Sequence, residues 1–267
     1  RMSCGLLVGD DEPRDLQDEI AMASTSASMS TAASGAVVAE ACVLNLTPPS
    51  KIGTGICFLD HMCDQLTSHG QLGVTLRCGV GSGAWFAPGR DYATGVAGRP
   101  HDRDIFVACG TALGLALRRV VDEVAAAATA PAAAAAATFC CPLDEAFAEA
   151  VIDLRPPAER RGACAVRLEP YGRFAGDAAA GRKWIGRFRT ALTPAFWEAL
   201  AAALGADLSL RRVRGDNAHH ILESCFKSFA RAFRAALDAL GSGGGAALHG
   251  CAPPAAGPLP PVAPPPA

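Results

Sequence analysis

The stretch NAHHILESCFKSFARAFRAALDAL, residues 217–240, decides the fold. Its apolar residues Ile221, Leu222, Cys225, Phe226, Phe229, Phe233 and Leu237 recur at three- and four-residue spacing, which gathers them on one face of an α-helix. Asn217 is a good N-cap and Gly241 a natural stop, so the spacing predicts a helix over Ala218–Leu240 with its apolar stripe in a core.

Earlier in the chain the same pattern returns. Displaced by 120 residues, Arg99–Leu117 lies over His219–Leu237. Displaced by 134, Phe58–Leu66 lies over Leu192–Leu200, and Val74–Arg77 over Leu208–Arg211. Displaced by 108, Val43–Leu46 lies over Val151–Leu154, both alternating as strands do. Loops of unequal length explain the changing offset. Each half therefore reads strand, helix, strand, helix, with an extra strand or two in the loops. Two such halves make an α+β fold from an internal duplication, its sheets carrying helices on one face.

The chain has 267 residues, half of them apolar, but alanine supplies much of that half and fills cores poorly. Residues 1–35 lack periodicity, and residues 241–267 are rich in Gly and Pro; both are expected to be disordered. The folded part is expected over 36–240, in halves of about 36–124 and 138–240. The Ala/Pro tract 125–137 reads as an inserted linker or helix extension, and 79–98 as a Gly-rich loop. The sequence begins at Arg1, as a fragment or processed form would. Ser/Ala/Thr-rich residues 20–36 suit a transit-peptide remnant, but the acidic stretch 9–19 before them favours plain disorder. Net charge is −2 and no long uncharged apolar run occurs, so neither nucleic acid nor a membrane is expected as a partner. Eleven irregularly spaced cysteines read as reduced thiols of a cytoplasmic or plastid protein.

Chemistry concentrates at the start of the 218–240 helix. His219 and Glu223 are four residues apart and share one face, while His220 is turned by about 100°. Imidazole with carboxylate suits a divalent ion such as Mn, Fe or Zn. The plainer reading is a polar first turn in which Glu223 supports the cap.

Three segments carry a resemblance. Gly53–Met62, GTGICFLDHM, with Ser68-His69-Gly70, is similar to the signature TGIGFLDHM…HG. Asn217–Arg231 is similar to NxHHxxExxFKxxAR, and Pro142–Ala146, PLDEA, to PMDEA. Together, over about residues 40–240, they resemble the imidazoleglycerol-phosphate dehydratase family. The resemblance implies duplicated half-domains like the second domain of ribosomal protein S5. It also implies dehydration of imidazole glycerol phosphate in histidine biosynthesis, two manganese ions and a homo-oligomer. By it His61, His219, His220 and Glu223 are metal ligands, and Glu223 and Asp144 are candidate catalytic carboxylates. Asp60, Lys227 and Arg231 are candidate substrate contacts, Lys227 for the phosphate. For Asp60 and Asp144 a structural cap or turn is the alternative.

The chain also departs from the pattern. Where a first HHxxED is implied it reads RPHDRD over Arg99–Asp104, so Arg99, Pro100 and Arg103 stand at ligand positions. Ala195 stands where a further His is implied, and no counterpart of the RYG or PSTKG phosphate segments occurs. At most one Mn site is therefore expected intact, because an arginine in the other repels a cation and cannot ligate it. Three readings follow: a divergent dehydratase; a non-catalytic paralogue that co-assembles with an active partner; or a gene model in which 79–98, 125–137 and 241–267 are translated non-coding sequence.

Overall fold

A hairpin opens each half and a long helix closes it. The computed structural model describes residues 28–46, 48–81, 84–92, 100–128, 135–160, 162–172 and 181–241. In the first half β1 (Ser30–Ser34), β2 (Val37–Asn45) and β3 (Lys51–Gly53) lead to α1 (Cys57–Gly70). Then come β4 (Gly73–Val80), β5 (Ala84–Trp85) and α2 (Asp102–Ala127). The second half repeats the plan with β6 (Ala136–Leu143), β7 (Ala146–Asp153) and β8 (Cys164–Arg167). A small hairpin, β9 (Trp184–Ile185) and β10 (Phe188–Arg189), precedes α3 (Thr193–Leu204), β11 (Asp207–Arg214) and α4 (Ala218–Gly241).

Strand order is β1-β2-β4-β3 in one sheet and β6-β7-β11-β8 in the other, so the duplication extends to topology. In each sheet the last pair, β3 with β4 or β8 with β11, is parallel and the others are antiparallel. Alternate residues of β2 and β7 are buried, as a strand with one covered face requires. Helix α2 packs on β1, β2 and β4, and α4 on β6, β7 and β11. Helix α1 packs against α4, and α3 against α2, so the helices fill the space between the sheets and join the halves crosswise. Gly110 and Gly114 of α2 allow this, since a Cβ on either would collide with the carbonyl oxygens of Phe196 or Leu200 in α3. Phe226 and Phe229 of α4 meet Trp197 of α3 at 4.5 and 4.9 Å between ring centroids, in the middle of the core.

Several sequence expectations shift. Ala41 pairs with Leu76 and Ala150 with Leu210, so β2 and β7 correspond at an offset of 109 as far as Val43; past a bulge, Asn45 pairs with Gly73 as Asp153 does with Asp207, and the offset is the expected 108. One residue matters here, because it exchanges the inward and outward faces of a strand. Strand β1 lies inside the 1–35 stretch expected to be unstructured, and its buried Ser30 and Ala32 alternate with exposed residues. Within the expected 79–98 loop, β4 continues to Val80 and β5 pairs back onto it. Helix α2 extends to Ala127 and β6 begins at Ala136, which narrows the expected linker from both sides. Residues 1–27 and 242–267 lie outside the described residues.

The start of α2 also differs. Along its body the offset of 120 holds: Phe106, Leu113 and Leu117 are buried, as are Phe226, Phe233 and Leu237. Yet α2 begins only at Asp102, so Pro100 and His101, which match His220 and Ile221 of α4, lie outside the helix. Pro100 accounts for this: its fixed ring and missing N–H suit the approach to a helix, not the body of one. Arg99 lies outside the described residues.

Candidate functional site

Helices α1 and α4 bring together His61, His219 and Glu223, one ligand atom of each lying within 4.8 Å of the others. His219 and Glu223 meet because they are one turn apart on α4, with His219 Nε2 and Glu223 Oε2 at 2.9 Å. His61 reaches the same oxygen from α1 at 3.4 Å. The other oxygen, Oε1, accepts from Lys227 Nζ at 2.7 Å, one turn further along α4. Burial works to raise the Glu223 carboxyl. The hydrogen bonds from Lys227 and His219, with the charges of Lys227 and His61, outweigh it and hold the group below its ordinary value. Glu223 is therefore anionic at neutral pH. Two imidazoles and a carboxylate form a donor set that fits one borderline divalent ion.

Phe58 forms the wall of this site. Its ring stands edge-on to His219 at 5.0 Å and lies 6.2 Å from His61. Beyond Lys227, Arg231 continues the same face of α4, with its guanidinium 5.8 Å from the centre of the Phe139 ring. The His69 imidazole is held below its ordinary pKa by burial, then by the charges of Lys227 and Arg231. The corner beyond Glu223 is thus cationic.

The remaining sequence candidates lie apart from this trio. His220 turns away: its Nδ1 is 2.8 Å from Glu145 Oε2, and its Nε2 is 3.5 Å from Asp144 Oδ2. Asp144 itself is exposed at the β6–β7 turn with φ of 47°. Asp60 is buried, and its oxygens accept from the Thr54 N–H and hydroxyl and from the Gly89 N–H. Burial raises its pKa, against those hydrogen bonds. It ties α1 to the loops on either side, the structural alternative named for it.

Sequence reasoning passed over Glu145. Its carboxylate holds His220 and also accepts from the N–H groups of Asp216 and Asn217 at the start of α4. The one signal was its place beside Asp144 in PLDEA. Asn217 does cap α4, its Oδ1 accepting from the His219 N–H at 2.9 Å.

In the first half, the matching place is empty of ligands among the described residues. Ala195 of α3 occupies the position equivalent to His61, and Pro100, at the position equivalent to His220, precedes α2 and offers no ligand. Arg103 is exposed in the first turn of α2.

Comparison with known proteins bears on this arrangement. The family model described as imidazoleglycerol-phosphate dehydratase matches residues 102–233, from the first residue of α2 into α4. An imidazoleglycerol-phosphate dehydratase of Prochlorococcus marinus is 32% identical over 71% of this chain and 73% of its own length. The chain belongs to the imidazoleglycerol-phosphate dehydratase family. A wheat relative named as chloroplastic imidazoleglycerol-phosphate dehydratase 1 is 33% identical over 73% of this chain and 59% of its own. The family fold appears in crystal structures of the dehydratases from Staphylococcus aureus and Pyrococcus furiosus, each with a TM-score of 0.54. Identities there are 20% and 18%, over 78% and 76% of this chain and 96% and 90% of theirs. The duplicated α+β architecture read from the sequence is thus the family's own.

Proposed function

We propose that the protein is an imidazoleglycerol-phosphate dehydratase of histidine biosynthesis that works with one divalent ion per chain. The observation that supports this is the convergence of His61, His219 and Glu223 from both halves onto one small space. Manganese suits the donor set, and when bound such an ion supplies Lewis acidity and a template for the substrate. Glu223 is divided in its work: Oε2 faces the two imidazoles and Oε1 faces Lys227. Glu223 would hold such an ion through Oε2, and Lys227, paired with Oε1 one turn on, is the ammonium placed to meet a phosphate. Lys227 and Arg231 lie one and two turns past Glu223, roughly 6 and 12 Å along the helix axis. The substrate phosphate then binds at the cationic corner while its imidazole end lies at the trio. Glu223, being anionic, ligates rather than donates a proton. Asp144 and Asp60 take a supporting part, as turn and loop carboxylates around the site. The plastid or cytoplasm is the setting, and a homo-oligomer the assembly.

A second reading is favoured by Pro100 and Arg103 standing at ligand positions of the first half: a catalytically inactive paralogue that co-assembles with an active partner. Metal content per chain and turnover of imidazole glycerol phosphate in excess Mn²⁺ decide between them. One ion with turnover supports the enzyme. One ion without turnover supports the paralogue. Two ions per chain overturn the ligand assignment behind both.

A further inference from the structure

At the degenerate end of α2 an acid stands where the other half has core. Asp102 matches Leu222 at the offset of 120, and Leu222 is buried among apolar side chains. A carboxylate in such a position needs partners, and it has two. Tyr92 donates its hydroxyl to Asp102 Oδ1 at 2.6 Å. Arg187, from the β9–β10 turn, donates to the same oxygen at 3.5 Å. The Arg187 guanidinium also lies over the Tyr92 ring, 3.9 Å from its centroid. The side chains of both ion-pair partners are mostly buried, at 13% and 12% exposure, so the pair is shielded from solvent and from salt.

The next residue connects this clamp to the functional trio. Phe188 is fully buried, and its ring lies 4.9 Å from Phe106 of α2 and 5.1 Å, edge-on, from Phe58 of α1. Phe58 in turn stands against His219 and beside His61. A connected path therefore runs from Asp102 to Arg187, along the backbone to its neighbour Phe188, and by ring contacts through Phe58 to two of the three candidate ligands.

We propose that Asp102 and Arg187 are positioning residues for the His61–His219–Glu223 site, acting through the Phe188–Phe58 wall. The half with Pro100 and Arg103 at its own ligand positions thus contributes to the wall of the other site. A close aromatic wall restricts both imidazole rings to few orientations, and such outer support of a ligand ordinarily changes metal affinity. The inference rests on the one-ion reading above, but the test can separate the two.

The test uses the full-length protein without added metal, and then with Mn²⁺ alone. NMR resonances of the His61 and His219 ring Cε1–H groups are compared in wild type, Asp102→Asn and Arg187→Met, and Mn²⁺ affinity is measured by calorimetry. Both variants should move both ring resonances and weaken Mn²⁺ binding about 10-fold. The double variant should do no more than either single one, because both break the same clamp. Trp184→Ala, on the same hairpin but exposed, should leave the resonances in place. Folded variants with unmoved resonances and unchanged affinity overturn the proposal, since a clamp that only stabilises the fold would lower the melting temperature without touching either. If Asp102→Asn and Arg187→Met fail to fold, Phe188→Leu keeps an apolar filler and removes the ring. It must reproduce the shifts, or the proposal fails. If wild type binds no Mn²⁺, the one-ion reading falls while the ring resonances still decide the positioning role.

Discussion

Glu40 and Glu149 occupy the same place in the two halves of the molecule. Glu40 accepts from Arg77 Nε on β4 at 2.8 Å, and Glu149 from Arg211 Nε on β11 at 3.2 Å. Each pair bridges neighbouring antiparallel strands on the outer face of its sheet, and the two arginines are related by the same offset of 134 as their strands. The pairs are partly exposed, with Arg77 at 46% and Arg211 at 49%. Double-mutant cycles with Ala at both partners, read by urea unfolding, should give similar coupling in the two halves, about 0.2–1 kcal/mol each. A coupling well above 1 kcal/mol in either half would contradict this solvent-screened account.

Gly114 of α2 should reverse the usual effect of glycine in a helix. Ala is ordinarily better there by about 1 kcal/mol. A Cβ on Gly114, however, would come 2.5 Å from the Leu200 carbonyl oxygen and 2.8 Å from Ala203 Cβ on α3. Gly114→Ala must push two packed helices apart, so it should lose about 1–2 kcal/mol and lower the melting temperature by about 3–6 °C. Thermal unfolding checks this. A gain in stability would mean that α2 and α3 lie further apart than described.

What the sequence could and could not reveal follows from how local each feature is. Helix α4 was readable nearly to the residue, from the cap Asn217, the apolar stripe and Gly241, because capping and periodicity are properties of neighbours in the chain. His219 and Glu223 were readable as a pair for the same reason. The closeness of His61 followed only from the resemblance, since nothing near His61 in the chain says that α1 packs on α4 rather than on α2. The offset of 108 holds at Asn45 but becomes 109 from Val43 backward, because β2 bulges between them; Val43–Leu46 and Val151–Leu154 are apolar at nearly every position and could not reveal the bulge, whereas the Glu–Arg pairs show the second offset. Asp102 with Arg187 and His220 with Glu145 join residues 85 and 75 apart, which no local pattern encodes.

Glu145 gives the acid limb of the stability curve a definite sign. Its pKa falls from the ordinary 4.5 to about 2, chiefly through the hydrogen bond with His220, with the Asn217 and Asp216 N–H groups adding to it against slight burial. A depressed carboxylate stabilises the fold fully above its unfolded value, and that contribution fades as pH falls from about 4.5 toward 2. The side chain is 42% exposed, so solvent screening keeps the contribution to no more than about 1 kcal/mol. Glu145→Gln should be less stable than wild type at pH 6, and the difference should shrink below pH 4.5. Unfolding free energies measured from pH 2 to 7 test this; a gap that widens in acid would give the opposite sign.

The choice between His219 and His220 as ligand can be made without any substrate. Both follow Asn217 on α4, and the resemblance assigns a metal to each. Only His219 points to the space shared with His61 and Glu223, whereas the two ring nitrogens of His220 face Glu145 and Asp144. A ligand that binds the folded state at 100 times its dissociation constant stabilises by about 2.7 kcal/mol, which for a chain of this size is about 5–10 °C. Saturating Mn²⁺ should raise the wild-type melting temperature by that order. His61→Ala, His219→Ala and Glu223→Gln should each remove the increase, and His220→Ala should keep most of it. If His220→Ala removes it too, then His220 leaves Glu145 to join the ion, and the acidic β6–β7 turn is a resting place for a ligand rather than a cap for α4.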